Sequence, residues 1–482
     1  MLELAKRTIK RVWLRQVVRA DARERRRLAM VDRDLPPELW GATVGADGHL
    51  ALGGCDAVEL AERFGTPLFV VDRGRLRRDY TEFLESFSRH YPRVEIGYSY
   101  KTNPLPGVLR MLHELGAGAE VISHFELWLA LRLGVPPDQV IFNGPAKTEE
   151  ALALAVSRGI RLINVDNLSE IDAIARLAGE AGRRQPVGVR VVTSVGWSSQ
   201  FGLGLRDGAA REAFDRARKS PHLEPCAIHI HLGTGIRDTG VYLQAIREVL
   251  EFAGAIRGEL GVDIRFFDFG GGFGVPTVRP LSEMDSRLMA NGLAPLVTDP
   301  AAAPRLSTYG ERIAELFRRF HPAGTGEDPL MILEPGRAIT SRAQSLLLRV
   351  IATKPAPGGG QNVILDGGKN VAMPPGFEYH EVLPASKMRE SREASCNLFG
   401  PLCHPGDVLC VRKLMPRLEP GDVLAVMDAG AYFVPNLMNF SNPRAGAVAA
   451  EDGRAEWIRR HESFEDVVGR DDLGAAEGRS PR

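Results

Sequence analysis

Between Thr66 and Ile339 the chain alternates short β-rich runs with helical stretches, and no other feature restricts its fold as much. The β-rich runs are PLFVVD (67–72), EIGYSYK (95–101), AEVIS (119–123), VIFNG (140–144), LINVD (162–166), VGVRV (187–191), AIHIHLG (227–233), FFDFGGG (266–272) and MILEPGR (331–337). Helical segments such as GVLRMLHELG, EEALALAVSRG and SEIDAIARLAGEAG lie between them. A strand that returns parallel to its predecessor needs a crossover, and a helix supplies it. About eight such units predict an α/β fold built on a (β/α)₈ barrel rather than an open sheet. Nine runs are one too many, so either the first or the last is not a full barrel strand.

The runs end on Lys101, Ser123, Asn143, Asp166, His231, Gly270–Gly272 and Glu334. A barrel builds its active site at the C-terminal ends of its strands, which is where these residues fall. The stretch 276–305, rich in Pro, Ala and Asp, reads as an insertion or mobile loop. After Ile339 the helices stop. LLLRVIATKP, QNVILDGG, DVLCVRKL and GDVLAVMD are strands separated by Gly/Pro turns, the pattern of a separate all-β domain. GHLALGG, before Thr66, can add a strand to it. The expected organisation is a basic helical extension over 1–40, a barrel over 66–338, a β domain over 339–465 joined by about 41–65, and a polar, frayed tail over 466–482.

Composition excludes several functions. The 482 residues are 44% hydrophobic and 25% charged with zero net charge, so no global field draws the chain to nucleic acid or anionic membrane. No apolar run is long enough to span a bilayer. Cys55, Cys226, Cys396, Cys403 and Cys410 are odd in number and include no CxxC, which argues against a disulfide framework or a zinc site and for a reducing, cytoplasmic setting. The N-terminus interleaves Lys6, Lys10, Arg11, Arg15 and Arg19 with Leu4, Ile9, Val12, Leu14 and Val17 and lacks the apolar core of a signal peptide. It reads as a solvated amphipathic helix that docks on the body or on a second subunit.

Each chemical motif has two readings. Lys101 in GYSYKTNP is a surface lysine at a strand end, or a desolvated amine that attacks an aldehyde. DFGGGFG (268–274) is a tight strand-to-helix turn, or a run of bare backbone N–H groups around a phosphate. It is not a dinucleotide fingerprint, because a GxGxxG begun at Gly270 would need glycine where Val275 stands. EPGR (334–337) is a surface Glu–Arg pair, or a buried Glu334 that requires a cationic partner such as a pyridinium N–H. His231, with Thr234 just beyond, is a core histidine or a ligand-facing one. Cys403, flanked by His404 and Asp407, is a buried small residue or a reactive thiol. Tyr432 in DAGAYFV is core or site.

Taken in order from about Thr66 to Asn442, these motifs resemble the fold type III pyridoxal-phosphate (PLP) decarboxylases, the group of diaminopimelate, ornithine and biosynthetic arginine decarboxylases. The resemblance implies an alanine racemase-like architecture, a PLP-binding barrel plus a β domain in a head-to-tail homodimer with shared sites. It implies that Lys101 carries the cofactor, that Glu120 stands where the family has an aspartate near the ring, and that His231 stacks on the ring. Thr234, Gly271, Gly272, Gly336 and Tyr432 would serve the phosphate. Glu334 would face the pyridine nitrogen, with Arg337 nearby, serving both cofactor and substrate. Cys403 would enter the other subunit's site and return a proton to Cα. The implied reaction is removal of the α-carboxylate of an amino acid.

Three positions depart from the diaminopimelate pattern, the first two in regions that read the distal end of the substrate. His404 follows Cys403 where an acid is usual, and Met373–Pro374 replaces an Arg-Pro pair ahead of Tyr379. Gln200–Phe201–Gly202 replaces Lys-Phe-Gly. With Asp407, CHPGD resembles a variant found in specialised-metabolism decarboxylases, so a siderophore-type or carrier-bound amino acid is the expected substrate. Arg342 and Arg444 are alternative sources of the missing cation. The rival readings are a diaminopimelate decarboxylase of lysine biosynthesis and a racemase on the same fold. A racemase typically places arginine at the pyridine nitrogen, and Glu334 argues against it. No motif supports nucleic-acid binding, membrane association or a metal site.

Overall fold

The computed structural model describes residues 34–473 apart from Ser199, 291–297, 322–327 and Gly358, together with Val12 and Gln16. Most of the basic N-terminal extension expected over 1–40 and most of the polar tail therefore lie outside the described residues.

The first of the nine β-rich runs is the surplus one. Strand β1 (Leu68–Asp72) pairs antiparallel with Gln344–Pro355 and parallel with Gly446–Glu451, inside the β domain. It reads as a barrel strand because both its faces are buried: Phe69 and Val71 join the core shared with the barrel helices, while Leu68 and Val70 join the core of the β domain. The barrel proper consists of β2 (Val94–Ser99), β3 (Gly118–Val121), β4 (Val140–Phe142), β5 (Leu162–Val165), β6 (Gln185–Val192), β7 (Leu223–His229), β8 (Phe266–Asp268) and β9 (Leu330–Leu333). Each neighbour pair is parallel, and β9 pairs with β2 to close the ring. Strands buried on both faces explain the near-continuous Val, Ile and Leu content of these segments.

The helices start where short polar side chains can cap them. Ser123, Thr148 and Asn167 each accept a hydrogen bond from a backbone N–H in the first turn of the helix that follows. Three of the four strand-end turns between β2 and β5 thus end in a capped helix entry, which fixes the strand ends around one mouth.

In the β domain, Gln344–Pro355 is the spine, pairing with β1, Val423–Val426 and Gln361–Leu365. The expected strand in GHLALGG forms (Leu50–Leu52), but in its own three-stranded sheet with Thr43–Val44 and Cys55–Asp56. It attaches by packing and by hydrogen bonds from Leu50 N to Ala385 O at 2.8 Å, from Met388 N to Gly48 O at 2.9 Å and from Gly453 N to Gly53 O at 3.2 Å. The 276–305 segment contains a short strand, Arg279–Pro280, paired with Glu378–Tyr379, which ties the barrel rim to the β domain. Among the described residues no helix is long and apolar enough to cross a membrane.

Candidate active site

Strand β2 ends at Ser99, and the chain then turns through Tyr100–Thr102, so Lys101 sits just past the strand end rather than in it. Its Nζ donates to Ser99 Oγ at 2.7 Å and to Glu120 Oε2 at 2.9 Å, and Ser99 Oγ donates to the same carboxylate oxygen at 2.5 Å. Burial works to lower the pKa of Lys101, but the charges of Glu120 and Glu334 outweigh it and hold the ammonium form above its ordinary range.

The carboxylates are linked by asparagines from consecutive strands. Asn143, just beyond β4, donates to Glu120 Oε1 at 3.0 Å and to Glu334 Oε1 at 2.5 Å. Asn164, in β5, donates to Asn143 Oδ1 at 2.8 Å and to Asp268 Oδ2 at 3.3 Å. Asp268 and Glu334 share a hydrogen bond, and His229 Nε2 stands 3.5 Å from Glu334 Oε2. Burial raises both acids. For Asp268 the neighbouring Glu334 raises it further, so it keeps its proton. For Glu334 burial is outweighed by His229, by the hydrogen bond from Asp268 and by Lys101, so it is held ionised below the usual carboxylate range. Two acids in nearly the same place are thus driven to opposite protonation states.

His231 follows β7 by two residues, not at the strand end as expected, and accepts from Gly271 N at 3.3 Å. Burial and then the charge of Lys101 push its pKa down to about 3, so the ring is neutral at physiological pH. It lines a cavity of about 450 Å³ with Lys101, Glu120, Thr234, Glu334 and Tyr432.

A smaller recess of about 20 Å³ lies against this cavity, lined by Lys101, Gly272, Gly336, Arg337 and Tyr432 among others. Glycines in and beside it stand where backbones meet. A Cβ on Gly271 would lie 2.3 Å from Glu334 O, one on Gly272 (φ +89°) 2.2 Å from Gly233 O, and one on Gly336 1.9 Å from Thr102 Oγ1. Arg337 is buried beside the recess, donates to Glu378 Oε1 at 2.6 Å, and keeps its Nη1 without a hydrogen-bond partner. Its guanidinium carbon is 5.2 Å from the Tyr432 ring centroid. Tyr432 itself has φ +66°, held by hydrogen bonds from its N to Thr102 O and from Asn436 to its carbonyl.

These residues fit pyridoxal phosphate. They present an amine, an ionised carboxylate at the bottom of the cavity, a neutral imidazole on its wall, and a glycine recess with an unpartnered buried guanidinium N–H, which suits an anion.

Other expected site residues fall elsewhere. The Tyr379 hydroxyl turns away from the cavity and donates to Glu381 at 2.8 Å; Phe377 lines the cavity instead. Asp407 is buried as a loop anchor, accepting from Lys369 N at 2.7 Å and Leu402 N at 2.8 Å. Cys403 and His404 are exposed on that loop, and neither they nor Met373 line the cavity within one chain. Arg342 pairs with Asp79 at 2.9 Å and Arg444 with Glu462 at 3.6 Å, so neither supplies a cation to the cavity. Asn164, Asp268, Ser99, Arg190 and Trp197 belong to the site or its rim and were not singled out by the sequence; a buried polar residue within or at the end of a mostly apolar strand is the signal that marks the first three.

A family model for the pyridoxal-binding domain of pyridoxal-dependent decarboxylases matches residues 74–341. A diaminopimelate decarboxylase of Methanothermobacter thermautotrophicus is 33% identical over 439 residues, 88% of this chain and 96% of that protein. The Bacillus subtilis diaminopimelate decarboxylase is 29% identical, over 87% and 94%. The crystal structure of diaminopimelate decarboxylase from M. jannaschii superposes with a TM-score of 0.80 at 28% identity, covering 89% of this chain and 97% of that one.

Proposed function

Because the chain belongs to the pyridoxal-dependent decarboxylases, and so is a pyridoxal-phosphate enzyme acting on an amino acid, we propose that it removes the α-carboxylate from an amino acid whose distal end lacks the ammonium–carboxylate pair of diaminopimelate. The observation that carries this is the buried Arg337–Glu378 ion pair. Arg337 lines the small recess rather than the cavity, and Arg190, the cation that lines the cavity besides Lys101 among the described residues, faces Asp166 at 3.5 Å. A distal carboxylate entering this cavity would lose water without gaining a free cation, at a cost of several kcal/mol. A siderophore-precursor or carrier-tethered amino acid meets the requirement when its distal end bears no free carboxylate.

In this reading Lys101 holds the cofactor, Glu334 faces the ring nitrogen, His231 and Glu120 flank the ring, and Thr234, Gly271, Gly272, Gly336, Arg337 and Tyr432 hold the phosphate. Bound there, pyridoxal phosphate supplies an aldehyde carbon for amines and a ring that takes up the electron pair left at Cα when carbon dioxide departs. Lys101 must lose a proton before its amine can act, and Glu120 Oε2, at 2.9 Å, is placed to take it. Glu334, kept anionic by Asp268 and His229, holds a proton on the nitrogen it faces. Neutral His231 offers an uncharged face and does not compete with that proton. Protonation of Cα falls to Cys403 of a second copy in a head-to-tail dimer, because the exposed Cys403 loop does not reach the cavity of its own chain.

The names of the relatives favour a second reading, diaminopimelate itself. Carbon dioxide and amine release, measured over free and carrier-tethered amino acids, separates the two. We expect meso-diaminopimelate to show a kcat/KM at least about tenfold below the best substrate, as loss of one buried charge contact requires. Fastest turnover of diaminopimelate, with lysine as product, would establish the second reading instead.

A further inference from the structure

We propose that an aromatic tier formed by Trp197, Phe201 and Phe377 is the distal specificity site, and that it selects amino acids ending in an apolar, planar group such as an aryl ring. This rests on the decarboxylase reading above and adds to it what the mouth attracts, not only what it lacks.

The tier is built by two loops. After β6 the chain crosses the barrel mouth, pinned by Trp197 N to Leu232 O at 3.1 Å and Ser194 N to Glu248 Oε2 at 2.8 Å. Gly196 (φ +90°), where a Cβ would lie 2.9 Å from Leu232 O, lets the backbone bend closely enough to lay the indole on the rim. Trp197 then stacks on Phe201 with centroids 6.2 Å apart and planes at 22°, and meets His231 at 5.8 Å. The Phe201 ring also carries the Arg190 guanidinium, 4.3 Å from its centroid, which holds the ring in place and uses up that cation. Phe377 comes from the loop bonded to the barrel rim through Leu281 N to Phe377 O at 2.8 Å.

Three observations make the occupant a substrate. Trp197, Phe201 and Phe377 line the same cavity as Lys101, so the tier continues the reaction site. Trp197 is 48% and Phe377 47% exposed, an unusual amount of aromatic surface to leave wet in a concave site. Pro145 and Pro280 complete the rim without adding a charge. Planar apolar groups gain from offset or edge contacts with such rings beyond the area they bury, whereas a carboxylate at the same place loses hydration and meets the negative faces of the rings.

The test titrates the cofactor-loaded protein with L-homophenylalanine, L-lysine and meso-diaminopimelate, reading affinity from the visible absorbance of the cofactor and turnover from carbon dioxide separately. The aryl amino acid should bind about tenfold more tightly than diaminopimelate. Trp197→Ala and Phe377→Ala should remove most of that advantage and leave lysine and diaminopimelate within about twofold, while Trp197→Phe retains it. Tighter binding of diaminopimelate, equal weakening of all three ligands by Trp197→Ala, or a change in subunit association with unchanged affinities would overturn the assignment; the last would give the aromatics to a contact with a second copy. Failure of the decarboxylase reading shows independently, as absence of carbon dioxide from every amino acid that binds.

Discussion

Asn143 donates its side-chain nitrogen to Glu334 at 2.5 Å. The same nitrogen serves Glu120 at 3.0 Å, so one amide orients both the carboxylate beside Lys101 and the one at the floor of the cavity. Asn143→Ala leaves two buried acids each short of a charge-assisted donor. A fall in kcat/KM of about 10- to 100-fold is expected, with a shifted pH profile of cofactor absorbance because Glu334 becomes easier to protonate. Wild-type kinetics and an unmoved profile would show that Glu334 is oriented without Asn143.

Glycines at the recess should be intolerant where helical glycines are not. Gly272→Ala places a Cβ 2.2 Å from Gly233 O at a positive φ, and should cost about 1–3 kcal/mol of stability together with cofactor affinity. Gly254 lies in the helix Thr239–Leu260 with nothing within 4 Å of an added Cβ, so Gly254→Ala should stabilise by about 0.5–1 kcal/mol. Thermal unfolding with and without cofactor measures both, and an equal response at the two positions would remove the packing argument for the recess.

Glu126 should make stability fall with pH. Burial, partly offset by the hydrogen bond from Ile122 N, pushes its carboxyl up from 4.5 to about 7. A pKa raised by folding contributes stability that is complete below the unfolded value and is lost as pH rises through the folded one. Tm should therefore decline between about pH 5 and 8, and Glu126→Gln, whose carbonyl can still accept from Ile122, should flatten that decline. Parallel Tm profiles for the two proteins would place the titration on another group.

The barrel was legible because crossover helices and doubly buried strands leave a strong pattern. The surplus run at β1 has the same origin: Leu68–Asp72 is buried on both faces too, but between two domains. Lys101 and Glu334 could be read because each is a charged residue after an apolar strand. The Asn143–Asn164 relay could not, since its meaning lies in which side chains converge across the barrel. Tyr379 and Phe377 are two apart and would share a face in a regular strand. Phe377 instead ends a turn with φ −141° and ψ −2°, which sends it into the cavity while Tyr379 goes to Glu381.

Cys403 gives a test of the proposed shared site. Lys101→Ala and Cys403→Ala proteins, each inactive alone, should regain activity when mixed, because a hybrid dimer holds one intact site. At free subunit exchange about a quarter of wild-type activity is the statistical expectation from composite C2 pairing. Exchange shown by mass spectrometry without any recovered activity would place Cys403 outside the reaction.

Lys101 as the attachment point of the cofactor is tested most directly by borohydride reduction of the loaded protein followed by peptide mass spectrometry. A pyridoxyl group fixed on the peptide containing Lys101, and absent from Lys101→Ala, is the predicted result. A stable adduct on a different lysine, or none on a protein that still releases carbon dioxide from amino acids, would contradict it.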